Sequence, residues 1–488
     1  MSPLIAFPVL VLYFGVLMLV ARLTARRDNA GFFLGNRHSP WFVVAFGMIG
    51  ASLSGISVVS VPGMVGAAQF TYLQTVLGFF FGYLVVALVL LPIYYRLQLT
   101  SIYGYLRQRF GAHTHHTGAW LFIVAKMISA ATKLYVAVIV LQQFIFNAWH
   151  VPFFVTTTVC VLLIWLYTRR GGMRTIVWTD LLQTVFILVA VGLMLIEMVH
   201  LLGNSLEQTI NTVANSAWSR IFVFDDWKSN RNFWKQFMSG IFIVVVMTGL
   251  DQDMMQKNLS CKTLRQSQRN MLCYGAAFLP VNLLLLFLGA LLLIYAAQSG
   301  LTLPTRPDEI LPLFATSIFG HGAALCFLIG ITAASFSSAD SALTAITTTF
   351  AVDIVGVERH PARQAERLRR QIHLVVCVLF VVVVQLLCFI GNQSIIDTIY
   401  TIVGYAYGPL LGLFAYGLCT QLQLHDRWVP LVTLLSPLFT FAIQTAAMMF
   451  FDYKFGYELL MLNGLLTFVG LLLISKHATP CTSRAQNL

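Results

Sequence analysis

GASLSGIS, residues Gly50–Ser57, interrupts the middle of an otherwise apolar segment that runs from 41 to 64. A second segment, 236–256, is interrupted near its end by MTGLDQD, Met247–Asp253. Small and hydroxyl residues loosen a membrane helix, and a pair of interrupted helices at corresponding positions of two halves marks the binding site of an inverted-repeat transporter. Working outward, apolar segments fall at about 5–21, 41–64, 73–95, 118–147, 152–167, 176–202, 236–256, 271–297, 318–350, 372–391, 395–420, 429–451 and 457–475. Five of them lie between 41 and 202 and five between 236 and 420; five is odd, so the second set starts from the opposite side of the membrane. The expected fold is therefore an all-α polytopic membrane protein of about 13 transmembrane helices in a 5+5 inverted repeat, with extra N- and C-terminal helices. Its parts are an extra helix and inner loop at 1–40, a first repeat at 41–202, an outer loop at 203–235 and a second repeat at 236–420. Two extra helices and a short cytoplasmic tail follow at 421–488.

Composition supports that reading. The 488 residues are 58% hydrophobic and 10% charged, with a mean hydropathy of +0.80, whereas soluble domains carry about a quarter charged residues. Alternating ten-residue barrel strands are absent from the pattern. The net charge of +12 would suit a nucleic acid only if the basic residues clustered on one binding element. Instead 22 of the 30 Lys and Arg fall in every second inter-helix segment, against 6 in the others. By the positive-inside rule this sets the N-terminus outside and the C-terminus in the cytoplasm of a plasma (inner) membrane, and no nucleic-acid partner is expected. Residues 1–21 lack a basic n-region and run into Arg22, Arg26 and Arg27, so the first helix is expected to be retained. The basic stretch Val357–Gln371 reads as an orientation signal and surface helix. None of the eight cysteines falls in an outer loop, and no Cys/His spacing suggests zinc. The histidines His113, His115, His116 and His360 fall in loops, no catalytic constellation stands out, and an enzyme is not expected.

Charges inside hydrocarbon are functional candidates by default. Here they are Asp180, Asp251, Asp253 and Asp340, with Lys126 and Lys133 seven residues apart on one helix. Ser337, Ser338 and Ser341 surround Asp340 within about one helical turn. Such a turn supplies the oxygen ligands that hard cations prefer, although serines in membrane helices also serve packing.

Several stretches carry a resemblance: FFLGNR, then SLSGISVVSVPG, YGYLRQRFG, GGMRTIVWTDLLQ, TGLDQDMMQKNLSCK, SSADSALTAITTTFAVDI and GPLLGLFAYG, in that order between about 30 and 420. The chain resembles the sodium/solute symporter family, whose members carry proline, pantothenate, sialic acid, sugars or iodide on a LeuT-like fold. The resemblance implies Na+ as the coupling ion. It implies a first sodium site at the backbone of Gly50, Leu53 and Ala334 with the hydroxyls of Ser337 and Ser338. A candidate second sodium site would use Asp180, Ser337, Asp340 and Ser341, where Asp340 replaces a serine found in similar members. That extra carboxylate either strengthens the second site or pairs with Lys126, which helix counting sets at a similar depth. Lys133, with Ser52, Ser54 and Ser57, is the expected substrate-binding set for an anionic group; the alternative for Lys133 is snorkelling to an interface. The side chains used by sugar-carrying members are missing at matching positions, so a carboxylate-bearing solute is favoured over a neutral sugar. The expected function is sodium-coupled symport of a small polar solute by alternating access, with sodium ions, that solute and the lipid bilayer as partners. A transporter-like membrane sensor without net transport is the alternative.

Overall fold

The computed structural model describes residues 3–24, 28–227, 229–390 and 395–476. The tail beyond Lys476 and the arginines Arg26 and Arg27 lie outside the described residues. Each apolar run becomes a helix because, in lipid, a helix closes its own backbone hydrogen bonds. In chain order they are α1 (Pro3–Thr24), α2 (Trp41–Ser52), α3 (Gly55–Gly63), α4 (Tyr72–Arg96) and α5 (Ala112–Phe144). Next come α6 (Phe153–Gly171), α7 (Met173–Leu202), α8 (Phe233–Gly249), α9 (Gln252–Leu259), α10 (Leu264–Ser299) and α11 (His321–Val355). The order ends with α12 (Ala362–Ile390), α13 (Ile395–Cys419), α14 (Val429–Phe451) and α15 (Leu459–Leu473). Among the described residues nine helices are each long and apolar enough to cross a membrane. The pairs α2/α3 and α8/α9 qualify only together, bent by 59° and 66°. Both bends fall in the two interrupted stretches, Gly50–Ser57 and Met247–Asp253.

Helix α11 lies at the centre. Of its most apolar window 78% is buried, against 11% for the peripheral α14. Its run of Ala, Ser and Thr from Thr332 to Thr349 explains this, since small side chains let α3, α5 and α7 approach closely. Helix α2 is drawn just as close to α7: a Cβ on Gly50 would stand 2.2 Å from Thr184 Oγ1 and 3.1 Å from the Thr184 Cα. Gly50→Ala is therefore expected to overpack this contact and cost about 1–3 kcal/mol, read as a lower thermal-unfolding midpoint in detergent. An unchanged midpoint would show that α7 yields without penalty.

Three local expectations are corrected. The histidines at 113–116 lie on the first turns of α5, which begins six residues earlier than its apolar run, at Ala112. His115 Nε2 stands 2.8 Å from Asp353 at the end of α11, and Ser101 Oγ donates to the other Asp353 oxygen at 2.5 Å. The stretch Val357–Gln371 forms no separate surface helix: from Ala362 it is the continuous start of α12, and Arg369 is fully buried with its guanidinium over the Phe32 ring at 4.1 Å. Lys257, counted with the inner loop, sits inside α9 and is 1% exposed. Two short strands, β1 (Gln423–Leu424) and β2 (Ser475–Lys476), pair antiparallel and join the chain before α14 to the end of α15.

Candidate functional site

Both bends are held by local capping. After Ser52 the chain leaves the helix at Leu53, and Ser54 caps α3 by accepting the Ser57 N–H on its Oγ at 3.3 Å. Serine at an N-cap satisfies an otherwise orphaned amide, so this stretch restarts as a helix in a new direction. The Ala51 carbonyl at the break accepts from Ser338 Oγ of α11 at 3.2 Å. At the second bend Asp251 caps α9, its Oδ1 accepting the N–H groups of Asp253 (2.9 Å) and Met254 (3.4 Å). The freed carbonyls of Gly249 and Leu250 accept from the hydroxyls of Tyr94 and Tyr103, each at 2.9 Å.

Of the residues expected for the first sodium site, two lie at the first break and three on α11. Gly50 lies on the last turn of α2 with its N–H on Thr184 Oγ1 at 3.1 Å, and Leu53 is the C-cap of that helix. Ala334, Ser337 and Ser338 are buried on α11. The two serines diverge, however. Ser338 reaches the Ala51 carbonyl, whereas Ser337 Oγ donates to Asp180 Oδ1 of α7 at 2.6 Å.

The expected Lys126–Asp340 pair does not form. Lys126 Nζ stands 3.0 Å from Asp251 Oδ2 and 2.8 Å from Asp253 Oδ2, both at the second bend. Asp340 turns toward α6, where Tyr167 donates its hydroxyl to Oδ2 at 2.7 Å, and Ser341 Oγ donates to Oδ1 at 3.2 Å. Counting residues along two helices gives a shared depth but no direction around either axis, and the directions differ.

A residue missed in the sequence completes the arrangement. Lys257 Nζ lies 2.8 Å from Asp180 Oδ2 and 3.8 Å from Asp253 Oδ1. Asp180, Lys257, Asp253, Lys126 and Asp251 thus form one chain of alternating charges linking α7, α9 and α5, and Tyr407 extends it by donating to Asp251 Oδ2 at 2.9 Å. In a low-dielectric interior each member holds its neighbour's charge, and removing one leaves another uncompensated. The signal was present in the sequence: Asp253 and Lys257 stand four residues apart, the spacing that brings opposite charges together on a helix.

Between the bends lies a cavity of about 150 Å³, lined among others by Ser52, Ser54 and Ser57 from the first break, Lys126 and Lys133 from α5, and Asp251 from the second. Ser52 Oγ stands 2.5 Å from Tyr274 Oη, which also accepts from Tyr83 at 2.7 Å. Lys133 is half-buried, and among the described residues no carboxylate pairs with it. The cavity therefore presents hydroxyls, the Lys133 ammonium without an ion-pair partner among the described residues, and the carboxylates of Asp251 and Asp253, both engaged by Lys126. Among the described residues no group of three His, Cys, Asp or Glu could hold a metal ion.

A sequence profile described as the sodium:solute symporter family matches residues 32–421. The chain is 25% identical over 401 residues to the human (Homo sapiens) sodium/iodide cotransporter, covering 80% of this chain and 61% of that one. It is 26% identical over 412 residues to the human sodium-coupled monocarboxylate transporter 2, covering 79% and 63%. The chain thus spans about three fifths of the length of these curated relatives. Its fold matches that of a Na+-coupled sialic acid symporter solved in a substrate-bound outward-open state, with a TM-score of 0.82, 19% identity and coverage of 97% and 99% of the two chains. The architecture is accordingly the LeuT-like one, with the bent pairs α2/α3 and α8/α9 facing each other across the cavity.

Proposed function

The chain belongs to the sodium:solute symporter family, and from that premise we propose that it is a sodium-coupled secondary active symporter importing a small carboxylate-bearing solute by alternating access. The observation that carries this reading is the cavity shared by the two bends, where Lys133 has no ion-pair partner among the described residues. A solute carboxylate gives that ammonium a direct partner, and the hydroxyls of Ser52, Ser54 and Ser57 are the donors that orient it. Iodide and monocarboxylates, named for the relatives above, are likewise anions. Sodium is held beside the cavity by the backbone of Gly50, Leu53 and Ala334 with the hydroxyls of Ser337 and Ser338. Its binding ties the first break to α11, as the Ser338 to Ala51 hydrogen bond already does. Solute and ion then raise each other's affinity by the same factor. The protein lies in the plasma membrane with its N-terminus outside and its C-terminus in the cytoplasm, and it makes or breaks no covalent bond of its cargo.

Uptake of labelled monocarboxylates, sialic acid and neutral sugars into proteoliposomes, with and without a sodium gradient, tests the proposal. Sodium-driven accumulation of a carboxylate is expected. Binding without flux would favour a sensor, and sodium-independent uptake would remove the coupling. Within the same assay Ser338→Ala is expected to raise the half-saturating sodium concentration about tenfold, the loss of about 1.4 kcal/mol from one ligand. Ser337→Ala should do the same and also release Asp180 from its 2.6 Å hydrogen bond. Unchanged sodium dependence in both variants would move the ion elsewhere.

A further inference from the structure

We propose that Lys257 is a tethered cation that fills the second cation site at Asp180, so that the protein binds one mobile sodium where a second would otherwise sit; this rests on the sodium-coupled reading above. The site itself is built. Asp180 is 1% exposed, Ser337 Oγ donates to its Oδ1 at 2.6 Å, and Ser341 Oγ approaches Oδ2 at 3.5 Å. These are three of the four residues expected to hold a second sodium, and the fourth, Asp340, adjoins through Ser341 at 3.2 Å. The position a cation would take against Asp180 Oδ2 is occupied by Lys257 Nζ at 2.8 Å. At that distance the buried ammonium and carboxylate form an ion pair. A sodium ion on that oxygen would stand against the ammonium, with two cations competing for one buried carboxylate.

Lys257 also explains why this position can be filled from within. It rides on α9, the half-helix after the second bend, and that bend turns the short helix toward α7, bringing Lys257 within reach of Asp180. Asp253 stands one turn earlier at 3.8 Å, so the ammonium has a second carboxylate behind it. The tether thereby joins the ion site to the cavity through Asp253, Lys126 and Asp251.

The test counts bound sodium by thermal unfolding of the detergent-solubilised full chain, with choline replacing sodium, since stability rises with ln[Na+] in proportion to the ions bound. The native chain is expected to show a slope of about one ion, Lys257→Met about two, and Lys257→Met with Asp180→Asn about one again. Asp180→Asn alone should leave the native ion count unchanged, because no sodium sat there; a lower count in that variant would overturn the proposal, as would a native slope in folded Lys257→Met. If Lys257→Met does not fold, the Asp180→Asn result decides. A native chain with no sodium response at all would reject the sodium-coupled reading, while a response newly gained in Lys257→Met and lost with Asp180→Asn would still support the tethered cation; no response in either would reject both.

Discussion

Replacing Lys126 by Met is expected to lower the unfolding free energy by about 3–5 kcal/mol, the usual penalty for stranding buried charge. The lysine is the only ammonium among the described residues within ion-pair distance of Asp251, and it is the nearer of the two that reach Asp253. Asp251 also caps α9, so its carboxylate serves the backbone and the lysine together. Without Lys126 that cap must hold an unmatched charge, and the second bend should loosen. Asp251→Asn keeps a cap oxygen while removing the charge; combined with Lys126→Met it should recover much of the loss. The measurement is a double-mutant cycle of thermal stability. Additive losses would show that the pair contributes no coupling. The parallel cycle of Lys126→Met with Asp340→Ser should be additive, because Asp340 is engaged by Tyr167 and Ser341.

Lys133→Ala is expected to raise the KM for a carboxylate solute by about 10–100-fold, the value of one charge-assisted hydrogen bond of about 1.5–3 kcal/mol. Uptake of any neutral solute the protein accepts should change far less, which separates loss of a charge from damage to the fold. Lys133→Arg should retain part of the affinity, since it keeps a cation on the same helix face. Normal KM for the carboxylate in Lys133→Ala would remove the residue from the solute site. Sodium half-saturation measured at saturating solute should stay close to native, because Lys133 belongs to α5 and the hydroxyls assigned to the ion belong to α11.

Much of the fold is legible in the amino acids themselves. Apolar length marks helices, and the small and hydroxyl residues at Gly50–Ser57 and Met247–Asp253 mark where two of them bend. The resemblance to the family is what sets the serines of α11 beside Asp180, and Ser337 and Ser341, four apart on one face, do reach it. Direction around a helix axis is not legible. Lys126 and Asp340 share a depth, yet each turns to a different neighbour, and the partner of Asp340 is Tyr167, one of several hydroxyl residues on α6 with nothing in the sequence to single it out. Lys257 escapes for a different reason. It begins the basic run that continues through Lys262, Arg265 and Arg269, which reads as an inner loop, and only the 66° bend reveals that α9 carries it back into the interior.

The ion-pair contacts between Lys257 and its two carboxylates have a mechanical side. Hydrogen bonds resist rotation, because they weaken steeply once donor and acceptor fall out of line. A bare charge contact varies only as the inverse of distance, so moving the ammonium from 2.8 Å to 3.8 Å from a carboxylate forfeits about a quarter of the attraction. Lys257 stands at those two separations from Asp180 on α7 and from Asp253 on its own helix. Because Asp253 rides on α9 with Lys257, a shift of α9 against α7 is felt only at the Asp180 contact, which about an ångström of travel weakens without breaking.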